Sequence, residues 1–331
     1  MRLKDIGEKA LIADIIRPLF NPDRFPTRVG DDCALIEVSG DLCVCVSTDR
    51  VPADLRSFKL GLIDFRQLGQ YLAVLNISDI AAAGGRPVAL LLNLAFPPDF
   101  LVDDFQALLG GAKDAADRYG VVISGGDLSD SAEMNLVATS IGLVNRRQAL
   151  LRSGAKPGDR VFCTDYIGIS AAAFAHYLRP SGTNPLPLTV DQELVLTKHF
   201  RDPVPQVELG QRLATSGSWT SAMDVTDGVA QSFSEIAAAS SCGIILDADS
   251  LPVHEICRLV ASHYKLDPID LVLGAAADFQ LVGSLNPSRP GFEDLARSLR
   301  IIGEVVDDAG VFLRSSGVLT KLTPRGWNYY A

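Results

Sequence analysis

The stretch Ala73-Val74-Leu75-Asn76-Ile77-Ser78-Asp79-Ile80-Ala81-Ala82 lies inside a segment, 66–83, whose apolar residues recur with the period of an α-helix. Its large apolar side chains fall largely on one side, which is typical of an amphipathic helix. Gly84-Gly85 ends this helix and Pro87 blocks its continuation. The stretch also places Ser78-Asp79 among apolar neighbours, an unusual setting for a carboxylate.

The rest of the first half alternates predicted strands and helices. Strands are predicted over 34–38, 42–48, 88–96, 121–124 and 134–144, and a second helix over 99–119. The small turn residues Ser39-Gly40-Asp41 indicate a hairpin between the first two strands. Residues 125–133 are expected to form a polar loop. This order of elements predicts an α/β or α+β unit with its own core.

A domain boundary is predicted near 145–156, where the turn-rich residues 153–159 lead into a strand. Strands are predicted beyond it over 160–164, 243–246, 279–282 and 301–305, and helices over 169–178, 190–200, 204–216 and 227–241. A chain of 331 residues holds two domains at roughly 100–200 residues each. We therefore expect two α/β domains, 1–148 and 149–331, with mobile loops at 50–60 and 179–190.

The composition is that of a globular protein, with 47% hydrophobic and 21% charged residues. A net charge of −10 excludes a uniformly basic nucleic-acid footprint. The longest strongly apolar stretch, about 88–96, is too short to span a membrane, and the amphipathic N-terminus is not a signal peptide. The six cysteines lie mostly in apolar runs without a CxxC pattern, which favours buried, reduced thiols. These features predict a cytoplasmic protein that binds neither nucleic acid nor membrane.

Aspartate recurs in short polar turns beside apolar segments at five places. These are Gly30-Asp31-Asp32, Ser47-Thr48-Asp49, Ser78-Asp79, Gly125-Gly126-Asp127 and Asp224-Val225-Thr226-Asp227-Gly228. Any one of them alone is more often a turn or a helix cap. Together they indicate a site for a hard cation, because Mg²⁺ prefers carboxylate and phosphate oxygens. The four histidines do not pair at metal-ligand spacing, which disfavours a histidine-based zinc or iron site.

The sequence lacks the common nucleotide-binding motifs. It has no GxxxxGK[ST] loop, no protein-kinase HRD and DFG pair, and no GxGxxG after a strand. A GxSxG nucleophile elbow is also missing. Any bound phosphate must therefore be held by metal-bridging carboxylates and backbone amides.

In order and spacing, these motifs resemble the thiamine-monophosphate kinase family, which belongs to the aminoimidazole-ribonucleotide-synthetase-like ATP-binding superfamily. The resemblance covers nearly the whole chain through six anchors: 30–35, 47–49, 73–82, 125–127, 152–159 and 224–228. It implies two α/β domains per chain. It further implies a homodimer in which the N-terminal domains of two chains form a shared β-barrel.

The resemblance also implies that ATP lies between the domains with its phosphates held by several Mg²⁺ ions. The implied metal ligands are Asp32, Thr48, Asp49, Asp79, Asp127, Asp224 and Asp227, together with the backbone carbonyl of Ser47. The implied ATP contacts are Gly126, Asp127, Arg152 and Thr226. The family transfers the γ-phosphoryl group of ATP directly to the phosphate of thiamine monophosphate, so no covalent nucleophile is expected.

The sequence departs from the family on the acceptor side. Arg56 stands where the family has a histidine near the substrate, and Ala277 stands where a GGEDYEL motif supplies a glutamate. Pro324 precedes the terminal Gly-aromatic segment, where the family has an aromatic residue. Asp278 either faces the acceptor or caps a turn. Arg56, Ala277, Asp278 and Pro324 are therefore the candidate acceptor contacts.

Three functions remain open at this point. The first is a thiamine-monophosphate kinase. The second is a kinase of the same family with a different small-molecule acceptor. Arg56 favours it, because a guanidinium offers a rigid fork of donors to an anionic or carbonyl-bearing group. The third is a catalytically silent ATP-binding homologue. The full set of aspartates argues against it, because clustered carboxylates without a cation repel one another.

Overall fold

The computed structural model describes residues 2–19, 30–274 and 277–323. The N-terminal segment contains a 3₁₀ turn at Leu3–Asp5, α1 (Glu8–Leu11), a π-helical segment Ile12–Ile16 and α2 (Arg17–Leu19). Next come β1 (Ala34–Ser39), β2 (Leu42–Arg50), α3 (Arg56–Lys59), α4 (Phe65–Ala82), β3 (Arg86–Phe96), α5 (Val102–Arg118), β4 (Val122–Asp130) and β5 (Asn135–Asn145). The order of elements predicted for the first half is confirmed.

The second half contains more elements than the sequence predicts. They are β6 (Arg160–Cys163), α6 (Ile169–Tyr177), α7 (Val190–Arg201), α8 (Val207–Ser216), β7 (Trp219–Asp224), α9 (Val229–Ser240), β8 (Gly243–Asp247), a 3₁₀ turn Ala248–Ser250, α10 (Glu255–Tyr264), α11 (Pro268–Leu273), β9 (Leu281–Leu285), α12 (Phe292–Ser298), β10 (Arg300–Val306), β11 (Gly310–Ser315) and β12 (Val318–Lys321).

The strands form two mixed sheets. The first has five strands in the order β1-β2-β5-β3-β4, in which only the pair β3–β4 is parallel. The second has seven strands in the order β12-β11-β8-β10-β6-β9-β7, in which only the pair β8–β11 is parallel. We refer to the first sheet with α3–α5 as the first unit and to the second sheet with α6–α12 as the second unit. The predicted division into 1–148 and 149–331 remains a prediction.

Helix α4 lies at the centre of the molecule. Asp64 caps its first turn, where the carboxylate accepts a hydrogen bond from the main-chain N–H of Gln67 at 2.8 Å. The one-sided burial predicted for this helix is wrong, because every residue from Tyr71 to Ala82 is buried. Elements of both units enclose it: β2, β3, β5 and α5 from the first, and α7, α8 and β7 from the second. Gly210 of α8 packs so closely that a Cβ there would lie 2.1 Å from the Ala81 carbonyl oxygen.

The prediction of a polar loop over 125–133 is also wrong for residues 125–130, which belong to β4. Strand β4 continues to Asp130 and pairs with β3 up to Phe96. Because β4 is an edge strand, its side chains are exposed and its polar composition does not prevent pairing. Gly126 is required there, since a Cβ would lie 1.7 Å from the Leu92 carbonyl oxygen.

Strand β7 illustrates why several elements of the second half escaped prediction. It contains the polar residues Thr220 and Ser221, which do not suggest an interior strand, yet both are buried. Their hydroxyl groups each lie 2.7 Å from the Ser284 hydroxyl of the neighbouring strand β9. Hydrogen bonding inside the sheet therefore allows a polar sequence to form an interior strand.

All six cysteines are buried and unpaired, as their apolar context predicts. In the described part of the chain, no helix combines the length and the apolar character needed to cross a membrane.

Candidate active site

Helix α4 carries the first functional carboxylate to the junction of the two units. Asp79 lies in its last turn and is 8% exposed. The Ser47 hydroxyl of β2 donates a hydrogen bond to Asp79 Oδ2 at 2.6 Å. The Cys33 thiol donates to the main-chain carbonyl of Asp79 at 3.3 Å. These contacts hold Asp79 between α4 and the first sheet.

Two further carboxylates meet Asp79. Asp32 lies in the bend just before β1, and Asp224 is the last residue of β7. One oxygen from each of these three carboxylates lies within 4.8 Å of the other two. We term Asp32, Asp79 and Asp224 the carboxylate cluster. Both units contribute to it, and its ligand atoms are all oxygens, the type that a hard divalent cation prefers.

Each carboxylate of the cluster is held by a donor. Arg152 donates to Asp32 Oδ1 from Nε at 3.1 Å and from Nη2 at 2.6 Å. The Ser78 hydroxyl donates to Asp224 Oδ2 at 2.5 Å. Arg152 also donates from Nη1 to Glu235 of α9 at 2.5 Å. The guanidinium therefore links the cluster to a helix of the second unit.

Burial raises the pKa of each carboxyl group in the cluster, to about 8 for Asp224 and well above the ordinary value for Asp79. The neighbouring negative charges of Asp49 and Asp224 raise the pKa of Asp79 further. Arg152 opposes this effect at Asp32 but does not cancel it, and the pKa of Asp32 is still raised. Ionising all three groups is therefore costly without a cation, and a bound divalent ion would offset their repulsion.

Asp49 lies close to the cluster on the same side of β2 as Ser47. Its main-chain N–H donates to Asn76 Oδ1 of α4 at 3.0 Å, and Asn76 Nδ2 donates to the Leu72 carbonyl at 3.0 Å. Burial, followed by the negative charges of Asp227 and Asp32, raises the pKa of Asp49 to about 7. The structure thus brings Asp49 and Asp227 into the electrostatic field of the cluster.

Thr226 and Asp227 are half-buried in the turn that joins β7 to α9. The turn follows Asp224 directly, which places both predicted residues beside the cluster along the chain. Gly228 ends the turn with φ +105°, a conformation that favours glycine, and α9 begins at the next residue.

Other predicted ligands lie elsewhere. The Thr48 hydroxyl is 2.9 Å from the Thr139 hydroxyl on the opposite face of the sheet, because successive side chains of a strand alternate between faces. Gly126 and Asp127 lie on the exposed edge strand β4, where Asp127 is opposite Asn93. Neither the Thr48 hydroxyl nor the Asp127 carboxylate belongs to the carboxylate cluster. Their roles as ligands remain predictions.

The candidate acceptor residues are distributed over the two units. Arg56 is exposed at the first position of α3, and Ala277 is half-buried between α11 and β9. Pro324 lies outside the described residues. Asp278 is 2% exposed, and its carboxylate accepts hydrogen bonds from the Gly168 amide at 2.6 Å and the Ser170 amide at 3.1 Å. Of its two predicted alternatives, this geometry supports capping, here at the start of α6.

Sequence reasoning missed three polar residues of the site: Asn76, Ser78 and Glu235. Asn76 and Ser78 are fully buried in an apolar helix. A buried polar side chain needs a hydrogen-bond partner, so their position in the 73–82 stretch was a usable signal. Glu235 gives no comparable signal, since only the fold brings it to Arg152.

Comparisons with known proteins agree with this geometry. The family model for AIR synthase related protein, N-terminal domain, matches residues 30–144, and the model for AIR synthase related protein, C-terminal domain, matches residues 156–315. The thiamine-monophosphate kinase of Bacillus subtilis (strain 168) is 34% identical over 259 residues, which cover 78% of this chain and 77% of the relative. This chain belongs to the thiamine-monophosphate kinase family.

Another family member, the thiamine-monophosphate kinase of Pyrococcus abyssi, is 29% identical over 92% of this chain and 91% of its own. The structure of AaThiL complexed with AMPPCP and TMP matches with a TM-score of 0.84 at 26% identity, covering 99% of both chains. The expected family and its two-domain α/β fold are confirmed, and the family relationship marks the chain as a kinase.

Proposed function

We propose that this protein transfers the γ-phosphoryl group of ATP to thiamine monophosphate, giving thiamine diphosphate and ADP. The observation that carries the proposal is the carboxylate cluster, which both units assemble in a chain of the thiamine-monophosphate kinase family. The relative AaThiL is complexed with AMPPCP and TMP, which supports a site for a nucleotide and an acceptor.

The residues of the cluster fit Mg²⁺. They offer buried carboxylate oxygens within 4.8 Å of one another. Asp32, Asp79 and Asp224 would hold one ion, and the further ligands we propose beside it are Asp49, Asp227 and the carbonyl of Ser47. Asp127, on the edge strand β4, and Thr48, whose hydroxyl faces the other side of the sheet, would be ligands of additional ions only. When bound, Mg²⁺ would offset the negative charge of the phosphate groups and act as a Lewis acid toward them.

We further propose that Arg152, Gly126, Asp127 and Thr226 bind ATP. Arg152 is fixed by Asp32 and Glu235, so its position would be set before the nucleotide arrives. Gly126 lies on the edge strand β4, where main-chain groups that no second strand pairs would be accessible to a phosphate group. Thr226 lies in the turn between β7, which ends at the cluster residue Asp224, and α9. There its hydroxyl or main-chain N–H would contact the nucleotide.

The proposed transfer is direct and in line. The acceptor phosphate is already anionic, so neither a nucleophilic side chain nor a strong general base is needed. The protein's own residues would hold two polyanions at a fixed separation and angle, and this positioning lowers the barrier. The buried setting of Asp79 and Asp224 keeps water from screening these interactions.

The acceptor side differs from the family and favours one alternative. Arg56 is exposed, as a residue that meets an incoming anion should be, and Ala277 offers no carboxylate where the family motif has a glutamate. These two differences favour, as a second candidate, a kinase of the same mechanism with a different small phosphate acceptor. We propose Arg56, Ala277 and Pro324 as acceptor-side residues, with Asp278 supporting them through α6.

We also propose a cytoplasmic homodimer. The six unpaired cysteines fit a reducing compartment. The outer face of the first sheet exposes Ile36, Leu91 and Val122, which are 43%, 37% and 62% exposed. A second copy that completed a β-barrel would cover this apolar face. Light scattering on the purified protein tests the dimer, and a monomeric mass would contradict it.

The activity is tested by incubating the protein with ATP, Mg²⁺ and thiamine monophosphate and measuring products by mass spectrometry. We expect ADP and thiamine diphosphate in equal amounts. If ADP appears only with another phosphorylated metabolite from a panel of acceptors, the second candidate replaces the first.

A further inference from the structure

Ser78 is the point at which α4 contacts a cluster residue of the second unit. It is fully buried, and its hydroxyl donates to Asp224 Oδ2 at 2.5 Å. Ser78 and Asp79 are adjacent on the helix, so their side chains diverge by about 100° around its axis. One therefore faces β7, while the other faces β2, where Ser47 contacts Asp79.

The same arrangement recurs at all three carboxylates of the cluster. Ser47 engages Oδ2 of Asp79, Arg152 engages Oδ1 of Asp32, and Ser78 engages Oδ2 of Asp224. Each of these donors contacts a single oxygen of its carboxylate. The donor fixes the orientation of each carboxylate through one oxygen. The other oxygen is left for a cation.

We propose that Ser78 is a positioning residue that orients the Asp224 carboxylate for a divalent cation and so couples the second unit's ligand to α4. The inference rests on the proposed function only in placing a cation at the cluster. It goes beyond that function because it assigns a task to a residue outside the metal, ATP and acceptor contacts proposed above.

The physical reason lies in the position of Asp224 at the end of a strand. Its main chain is set by β7, but its side chain needs an outside contact to fix its rotation. Without the Ser78 hydroxyl, the buried carboxylate loses a hydrogen-bond donor and can turn away from Asp32 and Asp79. Removing a donor that orients a metal ligand weakens metal binding by about 10–100-fold.

A merely structural role must be separated from this one, and Ser232 of α9 provides the matched control. It is 1% exposed, and its hydroxyl donates at 3.2 Å to the main-chain carbonyls of Asp224 and Gly228. Ser232→Ala therefore removes a buried hydroxyl from the same aspartate without removing the donor to its carboxylate.

The test is a Mn²⁺ titration of the full chain in the absence of nucleotide, with free Mn²⁺ measured by electron paramagnetic resonance. We expect Ser78→Ala to bind Mn²⁺ at least tenfold more weakly than the wild type, and Ser232→Ala to bind within twofold of it. Thermal melting with and without Mg²⁺ provides a second readout: Ser78→Ala should lose most of the stabilisation by Mg²⁺, and Ser232→Ala should keep it.

The proposal is overturned if Ser78→Ala binds Mn²⁺ within threefold of the wild type, or if Ser232→Ala loses as much affinity as Ser78→Ala. If Ser78→Ala does not fold, Ser78→Cys replaces it under the same threshold, since a thiol is a poor donor of similar size. A wild-type protein that binds no Mn²⁺ also overturns it. Mn²⁺ binding with the expected pattern but no thiamine diphosphate formation would preserve this inference and reject the proposed function.

Discussion

Arg152 donates two N–H groups to the same oxygen of Asp32, from Nε at 3.1 Å and from Nη2 at 2.6 Å. The Arg152 side chain is 19% exposed and that of Asp32 is 4% exposed, so water screens this ion pair little. Asp32 precedes β1, whereas Arg152 follows β5 and leads into the second unit. The pair therefore fixes the cluster at the place where the two units join.

Replacing Arg152 should destabilise the protein strongly, because it removes the cationic partner of the buried Asp32 carboxylate and of the half-buried Glu235 carboxylate. We expect Arg152→Met to lower the free energy of unfolding by about 3–5 kcal/mol in urea denaturation at pH 8 without divalent cations. The control is Arg147→Met, whose partner Asp41 is 3.2 Å away and whose side chain is 80% exposed. That change should cost below about 1 kcal/mol. Equal losses in the two variants would contradict the assigned role of Arg152.

The stability of the cation-free protein should depend on pH in a defined direction. The pKa is about 7 for Asp49 and about 8 for Asp224, whereas aspartates in an unfolded chain titrate near pH ~4. Between these values the folded state binds more protons than the unfolded state, so stability is lost as pH rises. We expect the free energy of unfolding in EDTA to fall from pH 6 to pH 8, by up to ~1.4 kcal/mol per pH unit for each titrating carboxyl.

Two comparisons check that the cluster causes this dependence. Mg²⁺ should flatten the profile, because the ion favours ionised carboxylates and stabilises the folded state at high pH. Asp224→Asn should make the cation-free profile shallower by removing one titrating group. A free energy of unfolding that rises from pH 6 to pH 8 in EDTA would refute the assignment.

Asp278 should act on stability more than on substrate binding. Its carboxylate holds the Gly168 and Ser170 amides at 2.6 and 3.1 Å, at the start of α6. We expect Asp278→Ala to lower the free energy of unfolding by about 1–2 kcal/mol while KM for thiamine monophosphate stays within about threefold. Asp267→Ala, which removes the cap of α11, is the matched control. A tenfold rise in KM with unchanged stability would instead indicate direct contact with the acceptor.

Arg56 should determine the affinity for the acceptor. A hydrogen bond to a charged group is worth about 1.5–3 kcal/mol, so Arg56→Ala should reduce kcat/KM for the acceptor by roughly 10–100-fold. The KM for ATP should change little. Lys59→Ala removes another exposed cation of α3 and should leave both parameters near the wild-type values. Identical kinetics in wild type and Arg56→Ala would remove Arg56 from the acceptor site.

The sequence predicts the chemistry of the site better than it predicts the hydrogen bonds that hold the site together. Clustered aspartates beside apolar segments indicated a hard-cation site, and Asp32, Asp79 and Asp224 do converge. Which donor holds which carboxylate could not be inferred, because those pairings depend on tertiary contacts. Ser78 and Asp224, for example, are 146 positions apart. Thr48 shows the converse case: its motif matches the family, yet strand alternation directs its hydroxyl to the other face.

The fold shows a similar limit. The strands and helices of the first half were predictable because their apolar periodicity is strong. The prediction ended β4 too early, because polar residues suggested a loop although an edge strand tolerates them. It missed β7, because the polar residues of that strand are buried and hydrogen-bonded within the sheet. The burial of every α4 residue from Tyr71 to Ala82 also could not be predicted from the sequence of the helix, since it depends on α8 and β7 of the second unit.

The most direct test of the central claim is the rate at which the purified protein forms thiamine diphosphate from thiamine monophosphate, ATP and Mg²⁺. The account predicts turnover near ~1 s⁻¹, ordinary for an enzyme, and no product above background with Asp49→Asn. Absence of thiamine diphosphate from a wild-type protein that still binds ATP would contradict it.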